Sequence, residues 1–239
     1  MNTKTTNALF VLCGNCRTFT DCIDSFLQNI VSHLFLQDVK IYIYLYLKLT
    51  DPGPKGQYGW NYEYNDNDYN TILDKILTIK LKFPNINIDY KLLNTDEISD
   101  TELISQIKDI NLYTGFLIRA MHCHYNFEKC GNYILEKEED IKCKFDFIIY
   151  ARPDLYFTNC CNNIEKYDTS IIILGEGPNI NNYDHIAIIP RQHLNAFFFD
   201  RMNIYRNNTN KIYELAEQVY CDTINYEVKS IGTYLIKRF

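Results

Sequence analysis

The segment ALFVLCGNCRT, residues 8–18, opens the regular part of the chain and decides how the rest is arranged. Ala8–Cys13 is six apolar residues closed by Gly14, too short for a helix and apolar on both faces, which predicts a buried strand. A polar turn follows, Gly14-Asn15-Cys16-Arg17-Thr18. From Asp21 to Phe35, apolar residues recur at Ile23, Phe26, Leu27, Ile30, Val31 and Leu34, the spacing of one helix face. Val39–Leu47, VKIYIYLYL, is a second strand rich in β-branched and aromatic residues. Strand, glycine turn, helix and strand make a βαβ unit, which requires a parallel sheet with helices on its faces.

The remainder repeats the alternation. Helices are expected over Tyr69–Leu81, Asp100–Ile110 and Tyr113–Glu139, and strands over Ile86–Leu92, Phe145–Tyr150, Ser170–Leu174 and Ile186–Ile189. Arg191–Phe239 reads as helices broken at Tyr205–Asn210. Asp51–Asn70 is the clearest loop, with two of the six Pro, three of the nine Gly and the only Trp, and loops this long are often functional. The pattern is an α/β sandwich, mostly parallel, in one domain. In such sheets ligands bind at the carboxyl ends of the strands, near a topological switch point.

Composition excludes several classes. A net charge of −6 lacks the basic face that a nucleic-acid backbone demands. No run is long and apolar enough for a signal peptide or a membrane span. Nine cysteines, an odd number at scattered spacings, are read as reduced thiols of a cytosolic-type compartment. Cys13-Gly14-Asn15-Cys16 has redox or zinc spacing but no second close pair to complete a four-ligand site. His122, Cys123 and His124 point in different directions on a helix, so with Cys130 they are read as packing and solvated residues.

Two strand ends carry chemistry. The Gly14–Thr18 turn opens a helix, so its amides suit an anion, and Arg17 adds a cation; a plain helix cap reads equally well. It is neither a Walker loop nor a dinucleotide fingerprint. The second end is FDFIIYARPDLYF, Phe145–Phe157, where an apolar strand runs into Arg152-Pro153-Asp154. A charged pair there marks a cavity edge, because a core would expel it. Pro153 ends the ladder. Asp154 can ligate Mg²⁺ or Mn²⁺, and Arg152 can bind a diphosphate, or the two can form a structural pair. Trp60 and its neighbouring tyrosines either stack on a sugar or base or pack their own loop. Arg191 and His193, opening a helix after Pro190, are also placed towards the cleft.

Several of these pieces together resemble a known family. They are FVLCGNCRTF with Ser25 further along, FDFIIYARPDLYF after a long helix, Asn181–Ile188 before a strand and helix, and Asn225-Tyr226-Glu227 before Val228–Leu235. The set is similar to small GT-A-type glycosyltransferases of bacterial polysaccharide loci and large DNA viruses, WavE-like proteins being one branch. Each piece is short, and they are dispersed over nearly the whole chain. The resemblance implies a GT-A, Rossmann-like α/β fold with a mixed, mostly parallel sheet and helices on both faces. It implies one domain over residues 1–239, with a nucleotide-sugar half at about 1–157 and an acceptor half at about 158–239.

The implied activity moves a hexosyl or deoxyhexosyl group from a UDP-, GDP- or dTDP-sugar to a glycan or other hydroxyl acceptor. The implied cofactor is Mn²⁺ or Mg²⁺ held through an Asp-x-Asp motif, and the implied location is cytoplasmic, in the host if the chain is viral. Here Arg152 stands at the first Asp position, leaving Asp154 as the metal ligand. Gly14, Asn15, Arg17, Thr18, Arg119, Arg152 and Trp60 form the expected donor-binding set. Asp184 is the first expected catalytic base, with Glu227 and Asp222 in reserve; a retaining enzyme would need none. Two other readings stay open: a sulfotransferase-like enzyme cradling its anion at Gly14–Thr18, and a catalytically inactive GT-A-like binding module.

Overall fold

The computed structural model describes residues 5–16, 18–34, 39–49, 69–94, 96–106, 115–176, 185–207 and 224–236. A seven-stranded sheet forms its centre: β1 (Thr6–Asn15), β2 (Val39–Lys48), β3 (Asn87–Leu93), β4 (Phe147–Ala151), β6 (Ile172–Gly175), β7 (Ile186–Pro190) and β8 (Tyr226–Lys229). Their spatial order is β3-β2-β1-β4-β7-β6-β8, and β7 alone runs against its neighbours. The expected mixed, mostly parallel α/β sheet is therefore what forms. A separate two-stranded ribbon pairs β5 (Leu155–Phe157) with β9 (Tyr234–Ile236).

The two faces of the sheet separate by residue parity, as side chains alternate along a strand. One register row crosses the whole sheet as Ile88, Ile43, Phe10, Ile149, Ile188, Ile173 and Glu227. Its apolar members pack beneath α1 (Phe19–Phe26), the π-helical turn Leu27–Val31, and α3 (Tyr69–Lys82). Leu9, Val11, Tyr44, Ile148 and Tyr150 face the other way, under α5 (Gly115–Ile141) and α6 (Leu194–Phe198). Both faces are covered, which is why the central strands are apolar without alternation. The remaining helices are short: α2 (Ser32–Leu34), α4 (Asp100–Ser105) and α7 (Asp200–Asn207).

A close helix crossing depends on Gly131. A Cβ built there would lie 2.6 Å from the Phe199 ring and 2.9 Å from Phe198 Cβ, so α5 can approach these residues only without a side chain. Gly131→Ala is expected to lower stability by about 1–3 kcal/mol from overpacking. That outweighs the gain of up to about 1 kcal/mol in helix propensity. A thermal melt checks the sign.

The structure corrects the carboxyl-terminal part. The helix expected over Val228–Leu235 is instead the strand β8, a break at Gly232 and the strand β9. Tyr226 and Val228 favour strand, and Gly232 sits at φ 83°, a left-handed value that no helix contains. The segment Phe145–Phe157 is also two strands in two sheets: β4 stops at Ala151, and Leu155 begins the ribbon. Helix α4 ends at Ser105, and residues 107–110 lie outside the described set, as does the loop 51–68.

Candidate active site

The chain builds outward from β1 through β2 to β3, then returns to place β4 on the other side of β1. The switch point therefore lies between β1 and β4, where the crevice at the strand carboxyl ends is expected. The two segments singled out in the sequence meet there. Gly14 has φ 143°, a backbone shape that favours glycine, and a Cβ on it would lie 3.2 Å from Pro153 Cδ. The Gly14 turn and the Arg152-Pro153-Asp154 turn thus pack closely, and a side chain at residue 14 would press on the Pro153 ring. The amide of Cys16 is tied to the carbonyl of Lys48 at 2.8 Å, anchoring the turn to the end of β2.

Arg152 and Asp154 form a two-pronged ion pair. Arg152 Nε donates to Asp154 Oδ1 at 2.9 Å and Nη2 donates to Oδ2 at 2.7 Å. Asp154 is 2% exposed, whereas the Arg152 side chain is 19% exposed at the crevice. The arginine amide also donates to the carbonyl of His185 at 2.8 Å, which fastens the turn to the start of β7. His185 is buried, and its Nδ1 lies 3.1 Å from the Tyr234 hydroxyl. The Tyr234 ring packs against Phe157, with centroids 5.5 Å apart.

The backbone after Asp154 is held from below. Ser25 Oγ accepts the Phe157 amide at 3.0 Å and donates to the Cys22 carbonyl at 2.7 Å. Asn29 Nδ2 donates to the Phe157 carbonyl at 2.8 Å. Asn29 sits in the π-helical turn, an irregularity often found beside functional sites. Ser25, named in the sequence only as part of a helix, is therefore a strut under the Arg-Pro-Asp turn. His185 and Tyr234 were not singled out, because a pair 49 residues apart leaves no local pattern.

The other expected site residues fall as follows. Gly14, Asn15 and Thr18 lie at the crevice end of β1 and the start of α1, where Thr18 is the N-terminal residue and its carbonyl accepts from Asp21 and Cys22. Its hydroxyl lies 3.6 Å from Cys22 Sγ and does not cap the helix. Arg17, Trp60, Asp184 and Asp222 lie outside the described residues, as does the side chain of Arg119 on α5. Glu227 lies on edge strand β8, paired with Lys229 at 2.7 Å. It is three strand spacings from β4, roughly 14 Å, and some 10 Å back along the strands from Arg152.

Arg191 does not face the cleft. It pairs with Glu138 at 2.7 and 2.8 Å, at the amino end of β4, because Pro190 is in register with Phe147. His193 lies 2.7 Å from the Ser170 carbonyl, at the same end.

The Cys13 and Cys16 thiols are buried and held protonated. A hydrogen bond to Cys130 and then burial push Cys13 well up, and burial alone pushes Cys16 up to about 12. Thiolate, the reactive form, is then about one part in 10⁴ for Cys16 at pH 8. Alkylation of the folded protein at that pH is expected to label the exposed Cys123, Cys143 and Cys160 and to spare Cys13 and Cys16, as peptide mass mapping would show.

The described residues do not fit a divalent ion at this corner. Both Asp154 oxygens are taken by the Arg152 guanidinium, which stands where a cation would stand. Among the described residues, no group of three or more His, Cys, Asp or Glu could hold a metal, and no helix is long and apolar enough to cross a membrane.

By sequence the chain matches no family model and no curated protein. Among solved structures it is similar to the glycosyltransferase GlyE of Streptococcus pneumoniae TIGR4, at 10% identity and TM-score 0.43, over 95% of this chain and 45% of GlyE. The apo structure of the bifunctional WbbM gives 8% identity and TM-score 0.46, over 92% of this chain and 38% of that one. An active-site mutant of LgtC gives 8% identity and TM-score 0.47, over 93% of this chain and 72% of that one. The chain thus spans less than half of GlyE and of WbbM, two glycosyltransferases among the solved structures it resembles.

Proposed function

We propose that the chain transfers a hexosyl or deoxyhexosyl group from a nucleoside-diphosphate sugar to a hydroxyl of a glycan acceptor, in the crevice between β1 and β4. The observation that carries this reading is the packing of the glycine turn on Pro153, which sets Arg152, a cation held by the Asp154 fork, at the switch point. When the sugar–phosphate bond breaks, negative charge develops on the diphosphate. A preorganised guanidinium beside the amides at a helix N-terminus is suited to stabilise it. Asn15, Arg17 and Thr18 are assigned to the same phosphates, and Arg119 and Trp60 to the rest of the donor.

Asp154 orients Arg152 in this scheme, since the fork occupies both of its oxygens. If transfer inverts the sugar, a carboxylate must take the acceptor proton. Asp184 is assigned that role, since its chain neighbour His185 is bonded to Arg152. Glu227, with its lysine partner on the far edge strand, and Asp222 are reserves.

The fork also favours a second reading, a donor-binding module without catalysis, because no second carboxylate stands beside Asp154 in the motif. Release of nucleoside diphosphate from UDP-, GDP- and dTDP-sugars separates the two. Turnover by the native chain, reduced about 10²-fold or more in Arg152→Ala, is expected for an enzyme. Donor binding with no turnover across acceptors and metals would leave the binding module.

A further inference from the structure

A second cleft lies away from the crevice. Helix α5 covers β1 on its face of the sheet but leaves part of β2 and β3 open, and a cleft of about 670 Å³ remains between them. That volume is within the range of about 300–1,000 Å³ typical of small-ligand sites. Its floor is Tyr44 and Tyr46 of β2, and its wall is the stripe of α5 from Tyr125 to Glu136, which spans about 16 Å.

The lining is aromatic and polar together. Tyr44 and Tyr133 stack with centroids 3.6 Å apart and planes within 7°. That makes a rigid aromatic wall, and Tyr133 is fastened further by its hydroxyl on Asp89 at 2.6 Å. The charges balance: Lys91 pairs with Glu97, and Lys129, 4.9 Å from the Tyr125 ring centroid, is offset by Glu136. A neutral lining does not select a polyanion, and so many hydroxyl, amide and ionic groups do not suit a lipid tail. The half-buried rings of Tyr125 and Tyr133, with hydrogen-bonding groups around them, suit an uncharged chain of sugars, while the buried Tyr44 stacks beneath Tyr133.

The direction of the cleft also matters. Tyr133 lies against Tyr44 and Lys137 bonds to Asp89, while His122, earlier on α5, bonds to Asp100 and lies 3.8 Å from Asp96, the partner of Lys48 at the carboxyl end of β2. The Tyr125 end of the cleft therefore points to the side of the sheet that carries the crevice.

We infer that this cleft is a saccharide-binding groove that holds the part of an uncharged oligosaccharide remote from the reacting hydroxyl. This rests on the glycosyl-transfer reading. The test is a printed array of neutral, sialylated and sulfated oligosaccharides, probed with the full chain, Tyr125→Ala and Asn132→Trp. Asn132 is exposed on the groove wall, so its replacement fills the cleft without touching the core. Retention of neutral glycans is expected, weakened at least 10-fold in both variants, with nucleotide-sugar affinity within twofold of native in a parallel titration. No retention, retention only of charged glycans, or retention unchanged in both variants would overturn the groove. Glycan retention without nucleotide-sugar binding would instead remove the transfer reading and leave the groove standing.

Discussion

Arg152→Ala is expected to destabilise the fold by about 3–5 kcal/mol and to abolish measurable nucleotide-sugar binding. The stability loss follows from what remains. Asp154 is 2% exposed and would keep its charge without the two-pronged partner that compensates its burial. Breaking a buried pair from one side costs far more than the pair itself contributes. The double replacement Arg152→Met with Asp154→Leu separates the two consequences. Removing both charges takes away the buried carboxylate together with its guanidinium, so stability should return to within about 1–2 kcal/mol of native. Donor binding should stay absent, because the cation at the crevice is gone. Denaturant titration and a binding assay on the same three proteins read both quantities.

The second large effect lies at the opposite end of β4. Glu138 of α5 is 7% exposed, accepts two hydrogen bonds from Arg191, and accepts the Phe145 amide at 3.0 Å. One carboxylate thereby ties α5, the approach to β4 and the end of β7 together. Glu138→Ala would leave a guanidinium and a buried amide without their acceptor, at an expected cost of about 3–5 kcal/mol. Glu138→Gln keeps the shape and one acceptor oxygen but loses the charge-assisted bonds, so it should fall between alanine and native. Neither variant touches the crevice. In protein that remains folded, donor affinity should be unchanged, which distinguishes this strut from Arg152.

Much of this is legible in the sequence. Residues 8–47 alternate so plainly between a buried run, a glycine turn, a helical period and a second buried run that the parallel unit follows directly. The meeting of Gly14 with Arg152-Pro153-Asp154 was foreshadowed, since both are strand ends that apolar runs cannot continue. The carboxyl-terminal strands were not legible. Tyr226–Lys229 is four residues with no clean alternation, and its partner β6 lies some fifty residues earlier. Pairing at that separation is decided by packing rather than by local preference. The Arg152–Asp154 fork shows the same limit: the residue types announced a charge pair, but only the folded turn brings both nitrogens onto both oxygens. The apolar row ending in Glu227 puts that carboxylate far from the crevice, which no motif spacing could have revealed.

The β1–β4 crevice is proposed as a donor diphosphate site. Isothermal titration of the native chain and Arg152→Ala with UDP-, GDP- and dTDP-sugars, each with and without Mn²⁺, tests it most directly. Saturable one-to-one binding of at least one donor to the native chain, lost in Arg152→Ala, is predicted. Absence of binding to every donor in both conditions, or equal affinity in the variant, would contradict it.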